Sequence, residues 1–313
     1  MAIGALTLNR STTNFRAPAP ALVIDEDAPA IRRRVELGGV RIDQVDLPGA
    51  VQRLGDFLES GRAHQVVTVN LDFLSIAERQ PEFRDLINGA DLAVADGMPL
   101  VWASRLQGQP LPERVTGVDL VDGSCRLAAQ TGHGVFLLGA APAVAAAAAR
   151  TLQGRYPALR VAGLYSPPFG PLTPEEDERI VDMVQRAAPG FLFVALGAPR
   201  QDLWIRRHLH RLNVPVAMGV GCVFDLLAGV VSRAPRWMQC AGLEWAYRLG
   251  QEPARLWRRY LINDIPTFGR LVLTALRKRE DMEGVGEPGQ VDSPRSVVVG
   301  EPVARPSPAR PAA

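Results

Sequence analysis

Five short apolar runs punctuate this chain, and each ends in a glycine or small polar residue that opens a stretch of helical character. They are Gln65–Val69 before Asn70, Leu92–Ala95 before Asp96, Val135–Leu138 before Gly139, Phe191–Leu196 before Gly197 and Val214–Met218 before Gly219. Strands alternating with helices call for a mainly parallel sheet covered by helices on both faces, an α/β fold. In open sheets of that kind, ligands collect beyond the carboxyl ends of the strands. Thr68, Asn70, Asp96, Gly139, Gly197, Gln201, Gly219 and Gly221 stand at or just after those ends and are the first candidate site residues.

The chain has 313 residues, 47% of them hydrophobic, and a formal net charge of +2. That length and apolar content support one large domain or two modest ones, and the charge balance gives no case for wholesale nucleic-acid binding. Cys125, Cys222 and Cys240 form an odd set without metal-ligand spacing, which fits a reducing compartment. The leader lacks the apolar segment of a signal peptide. The uncharged run Leu127–Ala149 is long enough to span a bilayer. It is interrupted by Gln130, His133, Gly134, Gly139 and Pro142, so it reads as a helix end, a buried strand, a turn and an Ala-rich helix. Residues 1–34 and 281–313 are Pro-rich, lack apolar periodicity and read as disordered.

Several strand ends could cradle a phosphate. Gly139-Ala140-Ala141-Pro142 opens an Ala-rich helix whose first amides would face an anion. Gly219-Val220-Gly221 begins like a dinucleotide fingerprint, but Phe224 occupies the third glycine position, and no Gly-Lys-Ser/Thr loop is present. For each glycine the plain alternative is a strand-to-helix turn. Asp96 follows a buried strand and precedes Gly97-Met98-Pro99. It reads either as a general base with raised pKa or as the cap of a helix beginning near Pro99. Asp119 and Asp225 read as caps or supporting groups. His64, His133, His208 and His210 lack any metal or triad context, and no Gly-x-Ser-x-Gly elbow is present.

Arg233–Tyr260 interleaves Arg233, Arg236, Arg248, Arg255, Arg258 and Arg259 with Trp237, Trp245, Tyr247, Trp257 and Tyr260. Arginine's planar fork matches phosphate oxygens, and Trp and Tyr sit well at a boundary between apolar and aqueous phases. The combination suits a diphosphate carried on a lipid; a solvated basic helix packed by its aromatics is the other reading. At helical spacing from Pro253 onward, Arg255, Arg258 and Arg259 share one face, and Leu256, Trp257, Tyr260 and Leu261 the other.

These blocks together resemble the WecG/TagA/CpsF glycosyltransferases, glycosyltransferase family 26. The matching segments are Thr68-Val69-Asn70 with Asp72-Phe73, Ala95-Asp96-Gly97-Met98-Pro99, Glu113-Arg114-Val115-Thr116-Gly117 with Asp119, and Val135 to Gly139. They continue with Leu196-Gly197-Ala198-Pro199-Arg200-Gln201-Asp202 and Trp204, Gly219-Val220-Gly221 with Phe224-Asp225, and Arg233-Ala234-Pro235. The last runs from Glu244-Trp245 through Arg248, Glu252-Pro253 and Arg255 to Arg258-Arg259-Tyr260. The resemblance implies a Rossmann-like core of the GT-E type over residues 35–230, with a helical, membrane-associating appendage over 231–280. It also implies an inverting transfer of a hexose or N-acetylhexosamine from a UDP-sugar to a polyprenyl-diphosphate-linked sugar, for surface or exopolysaccharide assembly. The protein would then be cytoplasmic and peripheral on the inner membrane face, with a homo-oligomer compatible. By the same resemblance Asp96 matches the base, and Thr68 and Asn70 line its pocket. Arg114 and Gln201 lie near the donor or the reacting sugars, and Arg248, Arg255 and Arg258 meet the lipid diphosphate.

Cys222 stands where the family often has glycine, and Asp202 replaces a frequent Glu. The single Asp-x-Asp, Asp25-Glu26-Asp27, falls in the leader, so neither a metal nor any other cofactor is expected. Helix N-termini and arginine would stabilise the leaving UDP instead. Two alternatives are an oxidoreductase with a nucleotide cofactor, opposed by Phe224, and a peripheral membrane-binding protein without catalysis.

Overall fold

The computed structural model describes residues 33–284. The disordered leader and tail expected at the two ends lie outside that range, except where their edges overlap it. Strands β1 (Arg34–Leu37) and β2 (Val40–Asp43) form an antiparallel hairpin. Gly38 and Gly39, at φ 59° and 78°, supply its turn, a conformation that residues with a side chain resist.

Six further strands build one parallel sheet: β3 (His64–Val69), β4 (Leu92–Ala95), β5 (Gly134–Gly139), β6 (Arg160–Tyr165), β7 (Phe191–Ala195) and β8 (Val216–Gly219). Their order across the sheet is β4-β3-β8-β7-β5-β6, and every neighbouring pair is parallel. The five anticipated runs are all strands of this sheet. The sixth, β6, lies at one edge and has no fully buried residue, whereas β4 at the other edge is buried throughout.

Successive residues along a strand point to opposite faces, and the core divides accordingly. Val66, Val94, Val135, Leu137, Phe193 and Met218 pack with the helices Leu47–Glu59, Gly117–Thr131 and Pro142–Arg155. On the other face, Val67, Val69 and Ala93 meet Phe73, Phe83 and Leu100. Leu138, Leu192, Val194 and Ala217 meet Ile180, Ile205 and Leu209 there. Helices on both faces leave only the strand ends open to a ligand. The run Leu127–Ala149 resolves into a helix end, β5 and the helix Pro142–Arg155. No described helix is long and apolar enough to cross a membrane.

After β8 the chain is helical. Short helices Arg236–Cys240 and Glu244–Gln251 precede Pro253–Trp257, which runs through a π-helical segment, Arg258–Asp264, into Ile265–Gly284. The facing of side chains differs from the expected one: Leu256 and Tyr260 are buried, while Trp257 and Leu261 are exposed. Arg259 parts company with Arg258: its Nε lies 3.3 Å from Asp72 and 3.8 Å from the buried Asp264. Leu271 joins the core beside Phe73 and Phe83, and Phe268 meets Trp102 edge-on at 6.4 Å.

Candidate active site

Asp96 leaves the end of β4 with its amide bonded to the Val69 carbonyl of β3 at 2.7 Å. The following helix, Met98–Leu106, has Gly97 at its N-cap and receives no capping bond from a side chain. Asp96 therefore does not cap it. Instead its Oδ2 accepts from the Gly117 amide at 3.3 Å. The Gly117 segment is held there because Val115 donates to the Ala95 carbonyl at 2.9 Å, prolonging the edge of β4 by one bond.

Asp96 is half-buried, its carboxyl largely surrounded by protein. Burial lifts it to about 6, Glu244 adds to the rise, and the Gly117 amide and Arg114 oppose it. A group with that value is ionised at neutral pH yet still basic enough to accept a proton. A Cβ built on Gly117 would find Thr68 Oγ1 at 3.7 Å, Val223 at 3.7 Å and Asp96 Oδ2 at 3.8 Å. Thr68 and Asp96 thus converge on one small space over a glycine. Asn70, at the end of β3, spends its Oδ1 on the Phe73 amide as the cap of helix Leu71–Arg79.

The tips of β7 and β8 form a second group. Gln201, buried in the first turn of helix Arg200–Leu212, accepts from the Gly221 amide at 3.1 Å. Gly219 lies against the same side chain: a Cβ there would stand 2.6 Å from Gln201 Nε2 and 2.5 Å from Asp202 Oδ1. Gly197 starts the turn that delivers Gln201, whose amide bonds to the Gly197 carbonyl at 2.9 Å. Gly139 ends β5 directly opposite Ala195 of β7. Phe224 is fully buried, so a side chain fills the position where a dinucleotide fingerprint needs glycine. The two groups meet at Gly221-Cys222-Val223, because Val223 also borders the space over Gly117.

The C-terminal helices close one side. Arg114 NH1 donates to Glu244 Oε2 at 2.5 Å, and its NH2 approaches Gln239 Oε1 at 3.5 Å. Arg233 grips Asp119 with two bonds of 2.8 and 2.9 Å and reaches Thr116 Oγ1 at 3.3 Å. The contacts from Arg233 and Thr116 hold the Asp119 carboxyl below its ordinary range despite burial. Arg248 donates to Cys222 Sγ at 2.9 Å, which brings one of the three expected appendage arginines to the β8 loop; its Nε is buried without a partner. Arg255 pairs with Glu252 at 2.7 Å and Arg258 lies over the Trp257 ring at 5.3 Å, both exposed.

Among the described residues no group of three or more His, Cys, Asp or Glu is placed to hold a metal ion. Glu244, Gln239 and Cys222 were not singled out as site residues from the sequence. Glu244 stands 130 positions from Arg114, and no local pattern announces a contact of that span. Asp119, read as a cap or supporting group, proves to be the supporting kind: Thr116 caps the helix and Asp119 holds Arg233.

A family model described as "Glycosyl transferase WecG/TagA/CpsF family" matches residues 35–281. Similar proteins include the N-acetylglucosaminyldiphosphoundecaprenol N-acetyl-beta-D-mannosaminyltransferases of Staphylococcus aureus strains MW2 and MRSA252. Each is 32% identical over 247 residues, which covers 78% of this chain and 94% of the relative.

Proposed function

The chain belongs to the WecG/TagA/CpsF family of glycosyl transferases, and from that premise we propose that it moves a hexose or N-acetylhexosamine from a UDP-sugar onto a sugar carried by polyprenyl diphosphate. The observation that carries this reading is Asp96, a carboxyl lifted to about 6 at the ligand edge of the sheet, with Thr68 beside it and no helix to cap. In a single inverting displacement Asp96 takes the proton of the acceptor hydroxyl. The acceptor oxygen bonds the donor's anomeric carbon as that carbon's bond to the diphosphate oxygen breaks, and UDP leaves with the bonding pair. A base in this position contributes about 10²- to 10⁴-fold.

The donor's diphosphate is assigned to the backbone amides at the tips of β5, β7 and β8, around Gly139, Gly197, Gly219 and Gly221, of which Gly197 is exposed, Gly221 half-buried and the other two buried, with Gln201 between them. Stabilisation of the leaving group falls to those amides and to Arg114. Arg248, Arg255 and Arg258 are assigned to the acceptor's diphosphate. Support comes from the exposed Trp237, Trp245, Trp257, Leu261, Ile262 and Ile265 on the same helices, a face suited to an apolar phase beside arginines. The helices from 231 to 280 then serve as an appendage that meets the membrane's inner face, and 35–230 as the catalytic part. The relatives' named acceptor, a sugar on diphosphoundecaprenol, is of the class proposed here.

The test is UDP release by purified protein with a panel of UDP-sugars and a short-chain N-acetylglucosaminyl diphosphate polyprenol. Release that needs both one donor and the acceptor supports the reading, and release from none in detergent or vesicles refutes it. Turnover in EDTA should equal that in Mg²⁺; a loss restored by Mg²⁺ or Mn²⁺ would overturn the metal-free account of the leaving group.

A further inference from the structure

Glu244 has no part in the transfer described above, yet it is the charged group that most opposes ionisation of Asp96. It arrives from a different part of the chain, on the helix Glu244–Gln251, and lies 76% buried against Arg114, whose own side chain is 15% exposed. Arg114 stands in the segment just before Gly117, the residue whose amide holds Asp96. An arginine so placed has two carboxylates within electrostatic reach, Asp96 and Glu244. Its short bond goes to Glu244.

We propose that Glu244 is a positioning residue that keeps Arg114 from forming an ion pair with Asp96, so that the Asp96 carboxylate stays free for the acceptor's proton. A guanidinium beside a carboxylate forms strong paired bonds, and a base locked in such a pair is a weak one. Glu244 competes for the same fork and holds its NH1. The remaining charged or titratable groups that act on Asp96 or feel its charge are Asp119 and Arg233, which are bound to each other, and Cys222, which is bound to Arg248. With those groups engaged elsewhere, the Arg114–Glu244 pair is the adjustable one. The consequence is a coupling between docking of the C-terminal helices and strength of the base. Withdrawal of the helix Glu244–Gln251 leaves Arg114 to Asp96, and the base is weakened. The catalytic meaning of that coupling rests on the transferase reading; the electrostatic coupling itself does not.

The experiment is a carboxyl-carbon NMR titration of the full ligand-free chain, with the Asp96 signal identified by its loss in Asp96→Asn. Glu244→Gln should move the Asp96 midpoint to lower pH than wild type, and Glu244→Asp should leave it close to wild type. Arg114→Gln, which removes the other member of the pair, should move it to higher pH. That opposite sign keeps the test decisive if Glu244→Gln folds poorly. In turnover, Glu244→Gln should shift the acid limb of kcat/KM to lower pH in parallel. Its plateau should fall about two- to fivefold, because a weaker base transfers more slowly. An unchanged midpoint in both Glu244→Gln and Arg114→Gln overturns the proposal, even if melting temperature drops. Shifted midpoints in a wild type that releases no UDP would sink the transferase reading and leave the coupling standing.

Discussion

Gly139 and Gly197 end neighbouring strands at the proposed donor site, and both have positive φ, 106° and 80°. Their surroundings differ. A Cβ on Gly197 meets nothing within 4 Å, whereas one on Gly139 collides with the backbone of Ala195, whose carbonyl carbon would be 2.7 Å away. Alanine at Gly197 therefore carries only the cost of the left-handed conformation, about 1–2 kcal/mol. Alanine at Gly139 carries that cost and must also part β5 from β7. Relief requires a backbone shift approaching 1 Å, which adds about 1–3 kcal/mol of overpacking. It also endangers the 3.2 Å bond from the Ala140 amide to the Ala195 carbonyl, worth about 1 kcal/mol. The sum for Gly139→Ala is about 3–6 kcal/mol, and the difference between the two variants is at least about 2 kcal/mol. Urea unfolding followed by far-UV circular dichroism measures both. Equal destabilisation of the two variants would refute the reasoning, because conformation alone would then account for both glycines.

Other consequences follow from buried charge and exposed apolar surface. Burial lifts the Asp202 carboxyl to about 7, so the folded state resists ionisation that the unfolded chain undergoes near pH 4. This penalty is full above pH 7 and absent below pH 4, with a ceiling of about 4 kcal/mol. Asp202→Asn should accordingly gain stability over wild type as pH rises from 4 to 8; a gap constant with pH contradicts this. Asp119 has the opposite sign: Arg233 holds its carboxyl low, so the pair stabilises the fold above the ordinary carboxylate range and the gain is lost as pH falls through it. Arg233→Gln should cost about 1–2 kcal/mol at pH 7, allowing for solvent at Asp119, with the deficit narrowing towards pH 3 in denaturant titrations. Trp237 and Ile262 are 66% and 56% exposed. Replacing both by Ser should weaken binding to anionic vesicles at least about tenfold and change unfolding free energy by less than about 0.5 kcal/mol each. Unaltered vesicle sedimentation would remove these residues from the membrane-facing surface.

The parallel sheet was legible because buried strands leave unbroken apolar runs, and all five of those runs are strands of it. Strand β6, Arg-Val-Ala-Gly-Leu-Tyr, escaped because Arg160, Ala162 and Gly163 break its apolar run and none of its residues is fully buried. The hairpin of β1 and β2 carried a readable signal, alternating residues about Gly38-Gly39, that fell at the border of a segment read as leader. Asp96 was located by position; the cap reading falls because Gly97 is the N-cap of the following helix, while the Asp96 carboxyl accepts from the Gly117 amide 21 residues away. The helical face after Pro253 was misjudged at Trp257 and Leu261, which a 3.6 period groups with Leu256 and Tyr260 although only the latter two are buried. Glu244 and Arg233 act across more than a hundred residues, and contacts of that separation leave no pattern in one sequence.

The most direct test of Asp96 as the base compares wild type with Asp96→Asn in acceptor-dependent UDP release at pH 7.5, with vesicle binding measured on the same preparations. The account predicts a fall of about 10²- to 10⁴-fold in turnover with vesicle binding retained. An Asp96→Asn enzyme that turns over at the wild-type rate would contradict it.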